Sequence, residues 1–502
     1  MRSRILPVLV FFVFCINPVT ADDAPSGETI AKQGIKGGTA PCSGCHGASG
    51  EGNAAANFPR LAGLNAQYLA AQINAYKDGE RSSPIMKPVA DGLSDAEVEA
   101  VASYYSGLSA PSAATPIQGA DLELGKQLAE LGSWQDRELP ACNQCHGPQG
   151  KGVGAVFPAI DAQPAGYVVE QLKAWRVGQR KTDLDGLMKS VATKLNDKES
   201  GAVASYYALL GSDPDKAAKL KASDPASPPE GFASPARSEI PDGDFGASIS
   251  RGEQIFLGTD THAVSAPYVG NHQQCADCHL DAGRLADSSP MWAAWVSYPA
   301  YRKKNEKVNT FIERIQGCFT YSMNAQGSKR GQVPAADSEP IVDLTSYFYW
   351  LATSAPTGDH KMSGRGYPAV TATASGFDPE RGRKVYDAHC AVCHGPEGNG
   401  TRAHGEMVFP PLWGDGAYNW GAGMHRIDTA TAFIQHNMPL GQPNLLSDQE
   451  SWDVAAFVNS HPRPQDPRYD GNFKETVKRF HSGKYDYYGK IKLPDGKRLG
   501  EP

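Results

Sequence analysis

The sequence predicts a mainly α protein of four tandem helical units arranged in two pairs, and three observations predict it. The pentad Cys-x-x-Cys-His occurs four times, at Cys42/Cys45/His46, Cys142/Cys145/His146, Cys275/Cys278/His279 and Cys390/Cys393/His394. A short helical signature opening on glycine precedes each one: Gly27-Glu-Thr-Ile, Gly125-Lys-Gln-Leu, Gly252-Glu-Gln-Ile and Gly382-Arg-Lys-Val. A Pro-rich polar stretch at 211–241 separates the first two motifs from the last two. A chain of 502 residues exceeds one ordinary core, and 53 Gly with 37 Pro favour loops between short helices.

The N-terminus reads as a secretory signal. Arg2 and Arg4 form the basic start, Ile5 to Ile16 is apolar, and Val19-Thr20-Ala21 suits cleavage before Asp22. The apolar run is shorter than the roughly 20 residues a membrane span needs. Phe14 before Cys15 does not suit a lipoprotein site. Residues 1–21 are therefore expected to be removed, leaving a mature chain with no membrane span, exported to the periplasm. Losing Arg2 and Arg4 and no acid takes the formal charge from −7 to −9. That acidic balance excludes nucleic acid as a partner.

Ten cysteines in an exported chain would ordinarily suggest disulfides. Their spacing answers otherwise, because eight lie in the attachment motif of c-type haem, for which about 0.005 copies are expected by chance. Each sulfur pair forms thioethers to the haem vinyl groups and the adjacent His is placed to ligate iron. Four covalently bound haem c groups are expected, with His46, His146, His279 and His394 on the irons. A zinc or thiol-redox site would not require His after every pair.

Downstream of motifs one, two and four come a Gly-rich loop and then Phe58-Pro59, Phe157-Pro158 and Phe409-Pro410. Closing helices follow at Leu93–Leu108, Leu195–Leu210 and Leu446–Ser460. Two terminal helices packed across a haem edge are the pattern of small class I cytochromes c, so the chain reads as four such haem domains. Met86, Met188 and Met438 lie 40, 42 and 44 residues after their motif histidines. A lone Met is more often core filling. Three at matched offsets point to axial ligation, which raises the iron potential. His436 competes as a donor beside Met438. The expected domains are 22–110 (haem 1), 111–210 (haem 2), a linker at 211–241, a catalytic domain at 242–355 (haem 3), a connector at 356–380, 381–470 (haem 4) and a C-terminal tail at 471–502.

The third unit departs from the repeat, with Leu280-Asp-Ala-Gly-Arg284 in place of a Gly-rich loop. Met323 stands at offset 44 from His279 and Cys318 at offset 39. Spacing alone leaves both open as iron ligand. A Cys318 thiolate would favour Fe(III) and lower the potential, whereas a bland Cys318 would be a small buried hydrophobe. Between Met291 and Arg330, seven cations (Arg302, Lys303, Lys304, Lys307, Arg314, Lys329, Arg330) face two acids, Glu306 and Glu313. This local excess is either a solvated helix face or a pocket that draws a small anion toward haem 3. On a helix, Arg314, Cys318 and Ser322 would share one face.

Two resemblances become specific at this point. Residues 22–210 resemble a dihaem cytochrome c4, through Met86-Lys-Pro, Gly92-Leu-Ser-Asp and Ala-Ser-Tyr-Tyr at both Ala102–Tyr105 and Ala204–Tyr207. Residues 240–470 resemble the dihaem thiosulfate dehydrogenase/tetrathionate reductase family. The matching stretches are Ile240-Pro-Asp, Tyr268-Val-Gly-Asn271, Cys275-x-x-Cys-His-Leu-x-x-Gly-Arg284, Tyr301-Arg302 and Arg314-Ile-x-x-Cys318-Phe-x-x-Ser322-Met-Asn324. The resemblance implies that Cys318 ligates the active-site haem and that Arg302, Arg314 and Ser322 surround the substrate. Lys304 stands where some members carry Arg. Asn437-Met438 stands where some relatives place Lys beside the Met, so switching to lysine is not expected.

Together the resemblances imply an enzyme naturally fused to its electron-accepting cytochrome. Its reaction would be 2 thiosulfate ⇌ tetrathionate + 2 electrons, with Cys318 either a ligand only or also a transient S–S partner. Electrons would leave through haem 4 to the c4-like pair, and then to an external redox protein or terminal oxidase. The rival readings are a pure multihaem electron carrier, another sulfur-compound-oxidising cytochrome and a cytochrome peroxidase.

Overall fold

Each unit is closed by a crossing of its first and last helix, and glycine sets how closely they approach. The computed structural model describes residues 25–502 apart from 37, 226, 228–230 and 360; the expected signal and its cleavage point lie outside the described residues. The opening helices are Gly27–Gln33, Leu122–Glu130, Asp244–Leu257 and Pro379–His389, and the closing helices are Asp95–Ser106, Asp197–Ser212, Glu339–Leu351 and Asp448–Asn459. A Cβ on Gly27, Gly125, Gly252 or Gly382 would fall 2.0, 2.3, 2.2 or 1.9 Å from a backbone carbonyl oxygen of the partner helix, at Ala100, Ala202, Asp343 or Asp453. Only a residue without a side chain permits that contact. The glycine opening all four sequence signatures is therefore a packing requirement.

Capping fixes where the closing helices start. Ser94, Asn196 and Ser447 each accept the N3 backbone N–H while Glu97, Glu199 and Glu450 reach back, forming capping boxes. Each cap contributes about 1 kcal/mol. The third unit's closing helix, Glu339–Leu351, carries Ile341, Leu344, Tyr347, Phe348 and Leu351 into a core with Phe256, Trp292 and Phe319. Among the described residues, sheet is confined to two small antiparallel hairpins, Ala300–Arg302 with Lys307–Asn309 and Thr401–Ala403 with Glu406–Phe409.

The first two units face each other through a near-symmetric seam. Arg81 and Arg180 pair as an antiparallel bridge. Arg81 donates to Tyr167 and Gln171 (both 2.7 Å) and Arg180 to Tyr68 (3.1 Å) and Gln72 (2.7 Å). The second unit also packs on the fourth: Phe157 and Phe409 rings lie 5.2 Å apart, in an apolar cluster that takes in Cys145 and Cys393.

The stretch at 211–241, read as extended, is held at both ends. Asp213 caps a Pro214–Lys219 helix whose Ala217 is fully buried, and Phe232 packs 5.0 Å from Trp292. The tail at 471–502 contains the helix Phe473–Phe480 and buries Tyr488 and Leu499 beside Trp420. Among the described residues no helix is long and apolar enough to cross a membrane.

Candidate haem and substrate site

All four motif histidines are held alike. Nδ1 of His46, His146 and His394 meets the carbonyl of Pro59 (2.9 Å), Pro158 (2.8 Å) and Pro410 (2.8 Å), which gives the Phe-Pro pairs their purpose. In the third unit the carbonyl comes from Ser289 (2.7 Å), with nothing in the repeat pattern to announce it. A carbonyl only accepts, so Nδ1 carries the proton and Nε2 is left with a free lone pair. Burial holds each imidazole below its ordinary value, His279 down to about 4, so all four are neutral donors.

In the first pair, Cys42, Cys45, His46, Met86, Cys142, Cys145, His146 and Met188 line one continuous cavity of about 1420 Å³. The cavity's donor set suits covalent haem c: paired sulfurs, an imidazole and a thioether in each unit. Arg81 and Arg180 also line it, both almost fully buried, and their side chains hydrogen-bond neutral Gln, Tyr and Thr groups. Buried cations without a carboxylate beside them suit an anionic group on the cavity's occupant.

The third unit builds a different site. Cys318 lies on the Phe311–Tyr321 helix, which Thr310 and Glu313 start as a capping box. One turn earlier, Arg314 places Nη1 2.9 Å from the Cys318 sulfur, and the charge of Cys318 holds the guanidinium above its ordinary value. Cys318 is near enough to Cys275 and Cys278 to influence both electrostatically. Its competitor Met323 is 3% exposed and packed into the unit's apolar core. Ser322 follows the helix with its N–H on the Cys318 carbonyl (2.8 Å). Asn271 ties Ser322 O (2.7 Å) to Ala417 O (3.1 Å) of the fourth unit. From the connector, Tyr367 donates to the Cys278 carbonyl (2.8 Å).

The basic cluster divides. Lys304 is half-buried, its Nζ 3.4 Å from the centroid of the Tyr321 ring and donating to the Gly421 carbonyl. Burial first, and then the nearby Arg468 and Arg314 charges, push it down to about 7. Arg302 instead lies exposed on its hairpin opposite Lys307. In the fourth unit, Met438 follows the Ile427–Asn437 helix, and the competing donor His436 is near Asp287.

Sequence reasoning missed a buried group behind Tyr321. Arg468 grips Asp466 through Nε (2.9 Å) and Nη2 (2.6 Å). His481 donates from Nε2 to Asp466 and from Nδ1 to Asp486 (both 2.8 Å), and His425 Nε2 meets the same Asp486 oxygen (2.9 Å). His425, His481 and Asp486 bring three donor atoms within 4.8 Å of one another. With both nitrogens spent on carboxylates, however, His481 is an imidazolium in a hydrogen-bonded chain rather than a metal ligand, and its pKa is raised accordingly. These residues are scattered along the sequence with no motif spacing to reveal them.

The cytochrome c family matches residues 31–109 and 379–462, and the SoxA/TsdA cytochrome c domain family matches 265–356. The chain is 49% identical over 272 residues to a thiosulfate dehydrogenase of Stutzerimonas stutzeri, covering 54% of this chain and 85% of that protein. It is 45% identical over 190 residues to the thiosulfate dehydrogenase electron acceptor of the same organism, covering 38% and 88%. A solved structure of thiosulfate dehydrogenase (TsdBA) from Marichromatium purpuratum superposes with a TM-score of 0.88 at 50% identity, over 95% of this chain and 98% of that one.

Proposed function

The chain belongs to the thiosulfate dehydrogenase family, and from that premise we propose that it couples two thiosulfate anions to tetrathionate at Cys318 and passes the electrons to its own N-terminal cytochrome pair. The observation that carries this reading is the 2.9 Å contact of Arg314 with the Cys318 sulfur, which sets a cationic hydrogen-bond donor against the sulfur nucleophile. The iron ligands we assign are His46 with Met86, His146 with Met188, His279 with Cys318, and His394 with Met438, one haem c on each Cys pair.

In the reaction, the Cys318 thiolate and one thiosulfate join as Cys–S–S–SO3⁻ with loss of two electrons. The second thiosulfate attacks the sulfur bonded to Cys318, the protein S–S bond breaks, and tetrathionate leaves with the thiolate restored. Arg314 and Lys304 offset the repulsion between two dianions. Ser322, at the end of the same helix, would hydrogen-bond an oxyanion through its hydroxyl. Bound haem c supplies the one-electron steps that carry the electrons away. The apolar seam around Phe157 and Phe409, where Cys145 and Cys393 belong to one cluster, favours the second unit as receiver from the fourth. The exported chain would work in the periplasm and hand electrons to an external redox protein or terminal oxidase.

The direct test assays purified full-length protein with thiosulfate plus a chemical oxidant, and tetrathionate plus a reductant. Turnover in either direction is expected. Reduction of all the haems by a chemical reductant with no response to either sulfur compound would favour a pure electron carrier.

A further inference from the structure

Behind the substrate-facing cations, the C-terminal region supplies a fixed charge. Tyr321 lies one turn beyond Cys318 on the catalytic helix and meets two cations, with Lys304 Nζ 3.4 Å and Arg468 Cζ 5.5 Å from its ring centroid. Arg468 has little freedom to move away. Its guanidinium is clamped on the 1% exposed Asp466, which is held by the fully buried His481, itself anchored on Asp486. The charges of Arg468 and His481 balance those of Asp466 and Asp486, so the chain is neutral and self-contained. Arg468 thus presents a fixed like charge to Lys304 across a shared aromatic ring.

We propose that Arg468, locked by the Asp466–His481–Asp486 chain, is a positioning residue of the thiosulfate site, setting how readily Lys304 carries the charge that meets the substrate. The proposal rests on the reading that Lys304 faces the anion. The groups acting on Lys304 are Arg468 and Asp466 from the C-terminal region, and Arg314 and Cys318 from the catalytic helix, on which Tyr321 supplies the ring. Arg468 and Arg314 lower its proton affinity, while Asp466 and Cys318 raise it. Lys304 is charged below about 7 and neutral above, so anion attraction declines as pH rises through that value.

The test is kcat/KM for thiosulfate in the full chain from about pH 5.5 to about pH 9. The parent should lose efficiency through about pH 7, mainly through KM, and Lys304→Met should remove that dependence. Arg468→Gln lifts a repulsion and should move the fall upward by on the order of half a unit or more. Asp466→Asn removes an attraction and should move it downward, and Arg468→Lys should restore the parent profile. The opposite signs separate this role from loss of structure, and either variant alone suffices if the other fails to fold. A fall that stays in place in both variants yet vanishes in Lys304→Met overturns the role of Arg468 and leaves the thiosulfate reading intact. A Lys304→Met profile identical to the parent's overturns the proposal at its premise. Absence of thiosulfate turnover in the parent sinks the proposed function itself.

Discussion

The first pair of units buries two arginines and the third unit half-buries Arg314, against different company. Arg81 and Arg180 are bound by Gln and Tyr side chains across a near-symmetric seam, while Arg314 is bound to the Cys318 sulfur. A buried cation needs an anion. In the first pair the protein withholds one, which suits a cavity whose permanent occupant brings its own carboxylates. On the proposed reading, the third unit supplies one in the Cys318 thiolate, and Lys304 is left to meet a visiting anion. Carrier and catalyst are thus distinguished by who provides the negative charge, although both are built on the same crossing of helices.

The largest blow to that contrast is Cys318→Ser. Haem attachment at the Cys-x-x-Cys-His motifs should be unchanged, since it uses other cysteines, while turnover in both directions falls by on the order of 1000-fold. The potential of one haem should rise as the anionic donor is lost, visible in a redox titration followed by absorbance. Met323→Leu is the control and should remain active, given its place in the apolar core. An inactive Met323→Leu beside an active Cys318→Ser would hand the site to the methionine.

Arg314→Ala should lower kcat/KM for thiosulfate by at least about tenfold, the worth of one charged hydrogen bond. Arg302→Ala, exposed on its hairpin, should stay within about threefold of the parent. Equal losses in the two variants would mean that the whole basic segment acts as a diffuse field.

The smallest effect on catalysis is expected from the double change Arg81→Gln with Arg180→Gln. Thiosulfate turnover with an artificial oxidant should stay within about twofold, because the two sites are far apart in function. The potentials of the first two haems should fall, since a cation favours the electron-rich state. Unchanged potentials there would detach the arginine pair from the cavity's occupant.

Much of this contrast was readable in the sequence. The motifs, the glycine that opens each first helix and the Ser or Asn that opens each last one are local signals, and local chemistry enforces them. Arg314, Cys318 and Ser322 were legible because helical spacing puts them on one face. Ser289 was not, because any residue can offer a carbonyl and only the loop path decides which one does. Arg468, Asp466, His481 and Asp486 escaped because burial pairs side chains whose sequence separation carries no period. Arg302 belonged to the same basic run as Lys304, and only the hairpin decides that one points outward while the other is half-buried.

The glycine-mediated helix crossing has a consequence for how such chains are assembled. Because the first and last helices of each unit cross in contact, the unit's two ends lie close together rather than at opposite poles. A further unit can be appended or removed with a connector of modest length and without disturbing the neighbour's interior. Modules closed in this way behave as beads with adjacent attachment points, well suited to duplication and to joining genes end to end. Two partners joined in this way are made in equal number and held within reach of each other for every turnover.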